Sequence, residues 1–415
     1  MKKLVILGAG TGGTMMANKL SKKLNLNEWA ITIVDQNNDH HYQPGYLFIP
    51  FDMYKESDII KPRSKYIDKR VKFIQTKIDR IEPDNNVVYL SNNEKLDYDF
   101  LIIATGAGIV PTETEGLTGD GWYKSAFDFY TLEGAAKLRD HLKNFKSGRL
   151  VVNMAEMPIK CPVAPLEFTF LADWFFQKNK VRNDIEIEFV TPLDQAFTKP
   201  VAASKLGYFL DEKNIKTTTD FSTGMVDYEN KKLVSYDNRS VSFDLLVSIP
   251  TNMGAKCIEE SGLGNELNYV PTDKKTLRSK EFENIFVIGD ATDLPSSKAG
   301  SVVHFQSDVL AKNFLSVLDG KELTEFFDGH ANCYVESGFG KGLLIDFNYE
   351  TQPLPGKYPL PIIGPFSLLE ESRMNHWGKM MFKWIYFNML IKGYELPVPN
   401  HMSMVGKNTE VLSLS

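Results

Sequence analysis

The residues best suited to redox chemistry in this 415-residue chain are its three cysteines, Cys161, Cys257 and Cys333. Three thiols are too few for a disulfide framework, and a lone buried cysteine often serves only as a small apolar side chain. Cys161 stands in the turn-like sequence Lys160–Pro162, directly before a stretch typical of a helix. Because a helix N-terminus lowers the pKa of a thiol, the sequence predicts a reactive thiolate at Cys161.

The segment before Cys161 has the order of a dinucleotide-binding unit without its glycines. An apolar run, Arg149–Val152, leads into a turn and then a helical stretch, but no Gly-x-Gly-x-x-Gly follows it. Met154, Glu156 and Met157 occupy the turn, whereas a pyrophosphate needs the close backbone approach that glycine allows. The sequence therefore predicts a second Rossmann-like unit that carries a thiol where a nicotinamide dinucleotide would bind.

A complete glycine fingerprint occurs at the start of the chain. The apolar run Leu4–Leu7 is followed by Gly-Ala-Gly-Thr-Gly-Gly, a helical stretch and a second strand-like run that ends in Asp35. Glycines admit a pyrophosphate, the helix N-terminus favours its charge, and an acidic residue at this distance holds a ribose hydroxyl. The residues predicted to contact the dinucleotide here are Gly8, Gly10, Thr11, Gly13, Asp35 and Gln36.

Two later segments favour FAD as this dinucleotide. Tyr98–Gly106 is a strand-like run that closes on Ala-Thr-Gly, and Asn284–Asp290 is a second run that ends in Gly-Asp. Taken in order, the three segments resemble the flavoproteins that bind two dinucleotides, the disulfide reductases and their relatives. The resemblance predicts further FAD contacts at both turns and at the start of the next helix: Ala104, Thr105, Gly106, Gly289, Asp290, Lys298 and Gly300.

Motifs along nearly the whole chain resemble the sulfide:quinone oxidoreductases and the related flavocytochrome c sulfide dehydrogenases. The motifs are Tyr42–Pro50, Lys160–Pro165, Phe189–Pro192, Ser297–Gly300, Asn332–Glu336 and His376–Lys379. The resemblance implies that Cys161 and Cys333 face the flavin and form a disulfide or a sulfur bridge. Many members carry a third redox cysteine between the Ala-Thr-Gly turn and the Cys-Pro motif. This chain has none there, and Cys257 is interpreted as structural.

The function implied by the resemblance is oxidation of sulfide to polysulfide or sulfur, through Cys161, Cys333 and FAD, with two electrons passed to a membrane quinone. Phe347 and Phe366 are candidate quinone contacts, and no metal site is expected. Glu167 is interpreted as a solvated helix carboxylate, with a base near the sulfur site as the alternative.

Three other functions stay open at this stage. The first is the flavoprotein subunit of a flavocytochrome c sulfide dehydrogenase. The second is a type II NADH:quinone oxidoreductase, which would need a second glycine fingerprint after Val152. The third is an inert FAD-binding scaffold.

The order of elements predicts an α/β fold with two tandem Rossmann-like domains of the disulfide-reductase type and a C-terminal membrane-associated region. Residues 1–112 and 276–328 are predicted to form the FAD-binding domain and residues 113–275 the second Rossmann-like domain. Residues 329–415 are assigned to the C-terminal region.

Composition limits the partners. The net charge of −6 gives no electrostatic footprint for nucleic acid, and no run reaches the roughly 18 apolar residues of a spanning helix. The segment 375–394 mixes aromatic and apolar residues with lysines, which is typical of a helix lying in the headgroup region. We therefore expect a homo-oligomer bound monotopically to the cell membrane, on a side left open. The residues of this pattern are Trp377, Lys379, Lys383, Trp384, Phe387, Leu390 and Lys392.

Overall fold

The computed structural model describes residues 1–360 and 364–409. Within these ranges the chain forms eight α-helices and 24 strands. The helices are α1 (Thr11–Lys23), α2 (Glu56–Ile59), α3 (Leu132–Leu142), α4 (Ala164–Lys178), α5 (Pro200–Glu212), α6 (Lys256–Glu259), α7 (Gly300–Leu318) and α8 (Arg373–Ile385). The strands are β1 (Lys2–Leu7), β2 (Trp29–Asp35), β3 (Asp39–His41), β4 (Ile60–Pro62), β5 (Lys72–Gln75), β6 (Ile78–Glu82), β7 (Val87–Leu90), β8 (Lys95–Asp97), β9 (Phe100–Ile103), β10 (Ala107–Ile109), β11 (Ala126–Phe127), β12 (Gly148–Met154), β13 (Ile185–Val190), β14 (Lys216–Thr218), β15 (Thr223–Asp227), β16 (Lys232–Ser235), β17 (Ser240–Ser242), β18 (Leu245–Ile249), β19 (Asn252–Gly254), β20 (Ile285–Val287), β21 (Ala331–Gly338), β22 (Lys341–Phe347), β23 (Gly356–Tyr358) and β24 (Phe366–Leu368).

The first sheet brings the predicted dinucleotide turns together. Its strand order is β20-β9-β1-β2-β5, and every pair in it is parallel. Residues Leu4–Leu7 of β1 are fully or almost fully buried, as expected for a strand covered on both faces. Because all strands run the same way, the turns after β1, β9 and β20 meet at one edge with the end of β2, where ligands bind in open α/β sheets.

The second sheet carries the turn that leads to Cys161. Its order is β11-β18-β12-β13-β14, and it too is parallel. The run Ile185–Val190 alternates at its start, which predicts a strand near an edge; β13 indeed lies one strand in from the edge strand β14. After β12 the chain turns, passes Cys161 and enters α4 at Ala164.

The C-terminal part adds a four-stranded sheet, in the order β21-β22-β24-β23, and helix α8. Cys333 lies on β21, opposite Ile345 of β22. Helix α8 continues as one turn of π-helix, Tyr386–Leu390. Among the described helices none is both long enough and apolar enough to cross a bilayer. The domain boundaries given from the sequence stay predictions.

Candidate active site

A cavity of about 440 Å³ lies at the edge where the dinucleotide turns meet. Thirteen of the residues predicted from the sequence line it: Gly8, Gly10, Thr11, Asp35, Gln36, Ala104, Thr105, Gly106, Cys161, Gly289, Asp290, Lys298 and Gly300. The lining also includes Glu167, for which a base near the sulfur site is the alternative interpretation. It further includes side chains that the sequence did not single out as contacts: His40, Arg63, Tyr130, Lys160 and Lys379.

Two of the predicted glycines have different roles. A Cβ built on Gly10 would meet nothing within 4 Å, so the space beside its backbone is open to a ligand. A Cβ on Gly13 would lie 1.8 Å from the carbonyl oxygen of Gly8, and Gly13 is not part of the cavity lining. Gly13 therefore allows α1 to pack closely against the turn after β1, whereas Gly10 leaves a cradle for a pyrophosphate.

Asp35 is held in place by groups that the sequence did not reveal. Its Oδ2 accepts hydrogen bonds from the Ala9 amide at 2.7 Å and from Arg63 Nη1 at 2.9 Å. The buried Arg63 also donates to the carbonyl oxygen of Asp39 at 2.7 Å. The carboxylate at the end of β2 thus has a fixed orientation at the cavity wall. Thr105, whose buried hydroxyl has no hydrogen-bond partner among the described residues, adds a polar group that a dinucleotide could satisfy.

Three hydrogen bonds hold the backbone of Cys161. Its amide donates to the Lys298 carbonyl at 2.9 Å, and its own carbonyl accepts from the Ala164 amide at 2.8 Å. The Tyr130 hydroxyl donates to the carbonyls of Lys160 at 2.6 Å and Cys161 at 3.2 Å. Cys161 also adopts a φ of 44°, in the left-handed region that non-glycine residues rarely occupy. Such a conformation persists only where the surroundings fix it, and it often marks a functional site.

Cys333 and Cys161 both lie next to the N-terminal end of α7. Its Sγ lies 4.0 Å from the Ser301 hydroxyl, three residues after the Lys298 carbonyl that holds Cys161. Both cysteines carry free thiols. They are near enough for Cys333 to raise the pKa of Cys161. Cys257, by contrast, is buried in α6 within a separate hydrophobic cluster.

The prediction of a thiolate at Cys161 is wrong for this state of the protein. Burial raises the pKa of Cys161, and Glu167 and Cys333 raise it further, whereas Lys379 opposes them. Burial also raises the pKa of Cys333, to about 11. The Ala164 amide at the start of α4 donates to the carbonyl of Cys161 and also lowers the pKa of the thiol, but this effect is smaller than that of burial.

Glu167 and Lys379 form a buried ion pair beside Cys161. Lys379 Nζ donates to Glu167 Oε1 at 2.7 Å and to the Tyr334 carbonyl at 2.8 Å. Burial raises the pKa of Glu167 although Lys379 opposes the shift. Burial would lower the pKa of Lys379, but its negative neighbours, Glu167 first, raise it overall. Glu167 is therefore not a solvated carboxylate, and Lys379 points inward instead of toward a headgroup region.

Two further lysines face the cavity. Burial lowers the pKa of Lys298 to about 8, and its ammonium group donates to the Asp290 and Thr292 carbonyls. Burial also lowers the pKa of Lys160, which donates to Gln43 at 3.4 Å. These cations can offset negative charge on a bound group.

The candidate quinone contacts lie outside this cavity. Phe347 on β22 is buried, and Phe366 on β24 packs against Tyr334 with ring centroids 5.5 Å apart. Neither lines the cavity, so their assignment stays a prediction that the site geometry does not support.

Helix α8 presents an apolar stripe to solvent. Met374, Trp377, Met381 and Trp384, which recur every three or four residues, are 47%, 65%, 53% and 61% exposed. The expected amphipathic surface is thus one face of α8 only. Within α8, Lys383 lies over the Tyr54 ring, with Nζ 3.8 Å from its centroid. Further along the predicted segment the chain turns inward, and Phe387 and Leu390 are buried in the core.

Comparisons with known proteins bear on the fold and on the resemblance. A sequence profile described as pyridine nucleotide-disulphide oxidoreductase matches residues 2–152. The mitochondrial sulfide:quinone oxidoreductase of Mus musculus is 25% identical over 398 residues, which cover 94% of this chain and 86% of that protein. A type II NADH:quinone oxidoreductase of Staphylococcus aureus is 24% identical over 410 residues, covering 86% and 92%. The crystal structure of the sulfide:quinone oxidoreductase from Aquifex aeolicus superposes with a TM-score of 0.81 at 19% identity, covering 96% of this chain and 93% of that one.

The fold is a mixed α/β fold of the pyridine nucleotide-disulphide oxidoreductase type. Within that class, the resemblance to the sulfide:quinone oxidoreductases is confirmed, because relatives of that name match along almost the whole chain.

Proposed function

We propose that this chain is a sulfide:quinone oxidoreductase that uses FAD, oxidises sulfide to polysulfide or sulfur through Cys161 and Cys333, and passes two electrons to a membrane quinone. The observation that carries the proposal is the cavity itself. It joins the glycine turn of β1, the Ala-Thr-Gly turn and the Gly-Asp turn with Cys161, while Cys333 contacts the adjoining start of α7. A dinucleotide cradle and two thiols at one place suit exchange of electrons between sulfur and a flavin.

FAD, when bound, would accept an electron pair from sulfur and release it to the quinone. The residues that would hold it are those of the cradle, Gly8, Gly10, Asp35, Thr105 and Asp290, with the N-terminus of α7 favouring negative charge on it.

The two thiols would work as a redox pair. Hydrosulfide attacks the oxidised, bridged form, one sulfur–sulfur bond forms and the bridge breaks, and the products are a persulfide on one cysteine and a thiolate on the other. A second hydrosulfide takes the outer sulfur of the persulfide and leaves as HSS⁻, the shortest polysulfide, so that both cysteines are then reduced. Re-forming the bridge between them would release one proton and two electrons, which bound FAD would accept. One thiol alone could not both hold the sulfur and return to the oxidised form.

The Glu167–Lys379 pair would control protonation at the sulfur atoms. The Lys379 ammonium lowers the pKa of both thiols, against burial, and so favours the thiolate that breaking the bridge produces. Glu167 raises the pKa of Cys161 and can take its proton. Lys379 therefore opposes the cost of placing negative charge on a buried thiol, whereas Glu167 adds to that cost as long as it is ionised.

Serine variants test the role of the cysteines. We expect Cys161→Ser and Cys333→Ser each to retain FAD, since neither thiol is part of the dinucleotide cradle, and to lose reduction of the flavin by sulfide. Cys257→Ser is the matched control, and sulfide should reduce its flavin as in the wild type, because Cys257 lies in a separate cluster. Sulfide-dependent flavin reduction that survives in both single variants would contradict the proposal.

The alternative best supported by a relative is a type II NADH:quinone oxidoreductase. The turn after β12 argues against it, because Met154, Glu156 and Met157 stand where glycines would admit the NADH pyrophosphate. Flavin reduction by NADH rather than by sulfide would favour this alternative.

We further propose that the exposed stripe of α8 attaches the chain to a membrane surface. Tryptophan and methionine side chains on one helix face suit the boundary between headgroups and acyl chains. Replacing Trp377 and Trp384 together with serine should reduce co-sedimentation with phospholipid vesicles by about tenfold or more. Tyr208→Ser, which removes an aromatic side chain 58% exposed on α5, should leave sedimentation unchanged. If the variant that lacks Trp377 and Trp384 binds vesicles as well as Tyr208→Ser does, the stripe is not the attachment site.

A further inference from the structure

Two side chains from outside the turn hold the backbone on which Cys161 stands. The Tyr130 hydroxyl donates to the carbonyl of Lys160 at 2.6 Å and to that of Cys161 at 3.2 Å. Asn252 on β19 is fully buried, and its Oδ1 accepts a hydrogen bond from the Lys160 amide at 3.1 Å. Three consecutive peptide groups are therefore fixed by one hydroxyl and one amide oxygen.

Tyr130 is itself fixed, because its backbone is tied to the fully buried Asp128. The Oδ1 atom of Asp128 accepts hydrogen bonds from the amide of Tyr130 at 2.8 Å and from that of Thr131 at 2.7 Å. Its Oδ2 atom accepts one from the Tyr123 hydroxyl at 2.9 Å. Burial raises the pKa of Tyr130 well above its ordinary value, so its hydroxyl keeps its proton. The hydroxyl is thus a hydrogen-bond donor with a fixed position beside the turn.

The conformation held in this way is one that Cys161 would not adopt by itself. Its φ of 44° lies in the left-handed region, where a Cβ is crowded by the backbone. The backbone bonds to the Lys298 carbonyl and the Ala164 amide fix the two ends of the residue, and the Tyr130 hydroxyl adds the contact from a side chain. Since φ sets the direction of Cβ, a return to negative φ would point the thiol elsewhere. The direction of the Cys161 thiol therefore depends on the hydroxyl of Tyr130.

We propose that Tyr130 is a positioning residue that keeps the thiol of Cys161 aligned for bridging to Cys333, a role that rests on the proposed function. Both cysteines are attached at the start of α7. The Cys161 amide donates to the Lys298 carbonyl, and Cys333 Sγ lies 4.0 Å from the Ser301 hydroxyl. Two groups held in the geometry of their product react with a high effective concentration. A turn released from Tyr130 lowers that concentration, because the thiol of Cys161 then samples directions away from Cys333.

Alkylation of the individual cysteines tests whether Tyr130 holds the turn. Tyr130→Phe keeps the ring and removes the hydroxyl, and we expect iodoacetamide to alkylate Cys161 of the reduced, FAD-loaded variant about fivefold faster or more. Mass spectrometry of the peptides should show no change at Cys257, which reports general unfolding. Tyr228→Phe is the matched control, because it removes a hydroxyl that donates to the Leu117 carbonyl at 2.6 Å in a separate cluster. An unchanged rate at Cys161, or an equal rise at Cys161 and Cys257, would overturn the role of Tyr130.

The equilibrium of the bridge gives a second measurement that is independent of turnover. The FAD-loaded proteins are equilibrated with mixtures of reduced and oxidised dithiothreitol, the oxidised form of which takes up the two electrons and two protons of the thiols. We expect the equilibrium constant for the Cys161–Cys333 bridge to fall about fivefold or more in Tyr130→Phe and to stay unchanged in Tyr228→Phe. A constant equal to or larger than that of the wild type would overturn the positioning role.

The same proteins separate this role from the proposed function. If the bridge weakens as expected but sulfide does not reduce the wild-type flavin, the proposed function fails while the role of Tyr130 stands. If the wild type forms no bridge, the proposed function also fails, and the alkylation of Cys161 then decides whether Tyr130 holds its turn.

Discussion

Replacing Lys379 with methionine removes the only cation of the buried pair while keeping the length of the side chain. Glu167 then loses the 2.7 Å hydrogen bond to the ammonium group and keeps only the one from the Glu336 amide. Lys383→Met is the matched control. It makes the same change one turn further along α8, where the lysine is partly exposed and lies over the Tyr54 ring.

The stability that Lys379→Met should lose follows from the burial of Glu167. Removing one partner of a buried ion pair typically costs about 3–5 kcal/mol. The carboxyl group can avoid part of this cost by taking up a proton. Protonating a group with an ordinary pKa of about 4.3 costs about 4 kcal/mol at pH 7. We therefore expect Lys379→Met to lower the free energy of unfolding by about 3–4 kcal/mol at pH 7, and Lys383→Met by about 1 kcal/mol or less.

The stability lost in Lys379→Met should become smaller as the pH falls. In Lys379→Met the folded state holds a proton on Glu167 that the unfolded state releases, so the folded-state pKa lies above the unfolded value. Such a group makes stability fall as the pH rises between the two pKa values. The difference in free energy of unfolding between the wild type and Lys379→Met should therefore shrink by about 1.4 kcal/mol for each unit by which the pH is lowered from 7 toward 5.

Urea unfolding of the FAD-saturated proteins, followed by tryptophan fluorescence, measures this difference. The double variant Glu167→Gln/Lys379→Met has no charge to bury and should recover to within about 1 kcal/mol of the wild type. The reasoning is refuted if Lys379→Met is as stable as Lys383→Met, if its deficit does not change with pH, or if the double variant is less stable than Lys379→Met.

Three further predictions concern the cofactor cradle and its neighbours. Gly10→Ala should fold normally, since its Cβ meets nothing within 4 Å, yet it should bind FAD at least tenfold more weakly. Gly13→Ala, whose Cβ would lie 1.8 Å from a carbonyl oxygen, should give little folded protein. Equal folding and equal FAD titrations of both variants would contradict these roles. Tyr386→Phe should raise the FAD dissociation constant about fivefold or more, because the Tyr386 hydroxyl is hydrogen-bonded to Thr11 Oγ1 at 2.7 Å; an unchanged constant would rule out that link. Cys257→Ser should change the melting temperature by a few degrees without altering FAD binding; loss of bound flavin would mean that its cluster supports the cradle.

The strands and turns of the cradle could be predicted because their signals are local. A buried strand reads as a continuous apolar run, and a turn that admits a pyrophosphate must carry glycine. The sequence around Gly10 and that around Asp290 therefore point to positions that do line one cavity. The family motifs added Cys333, which no local pattern distinguishes from a cysteine of the core.

The charged interior of the site was harder to predict because it depends on contacts distant in sequence. The sequence around Glu167 was compatible with a solvated carboxylate, yet α4 carries apolar residues on most sides, which is typical of a buried helix. Lys379 was grouped with the exposed aromatic residues of its helix. Its position two residues after Trp377 places it on the opposite face, and this spacing was the signal that could have identified it. Arg63 and Tyr130 carry no such signal, because their partners are set only by the tertiary fold.

The central claim is that sulfide, and not NADH, reduces the flavin of this protein. The most direct test is to mix the purified, FAD-loaded chain with sulfide under anaerobic conditions, to follow the absorbance of the oxidised flavin, and then to add a soluble quinone. We predict bleaching by sulfide, recovery on addition of quinone, and no bleaching by NADH in a parallel sample. Bleaching by NADH and not by sulfide would contradict the account and make the chain an NADH:quinone enzyme whose cysteines have no part in electron transfer.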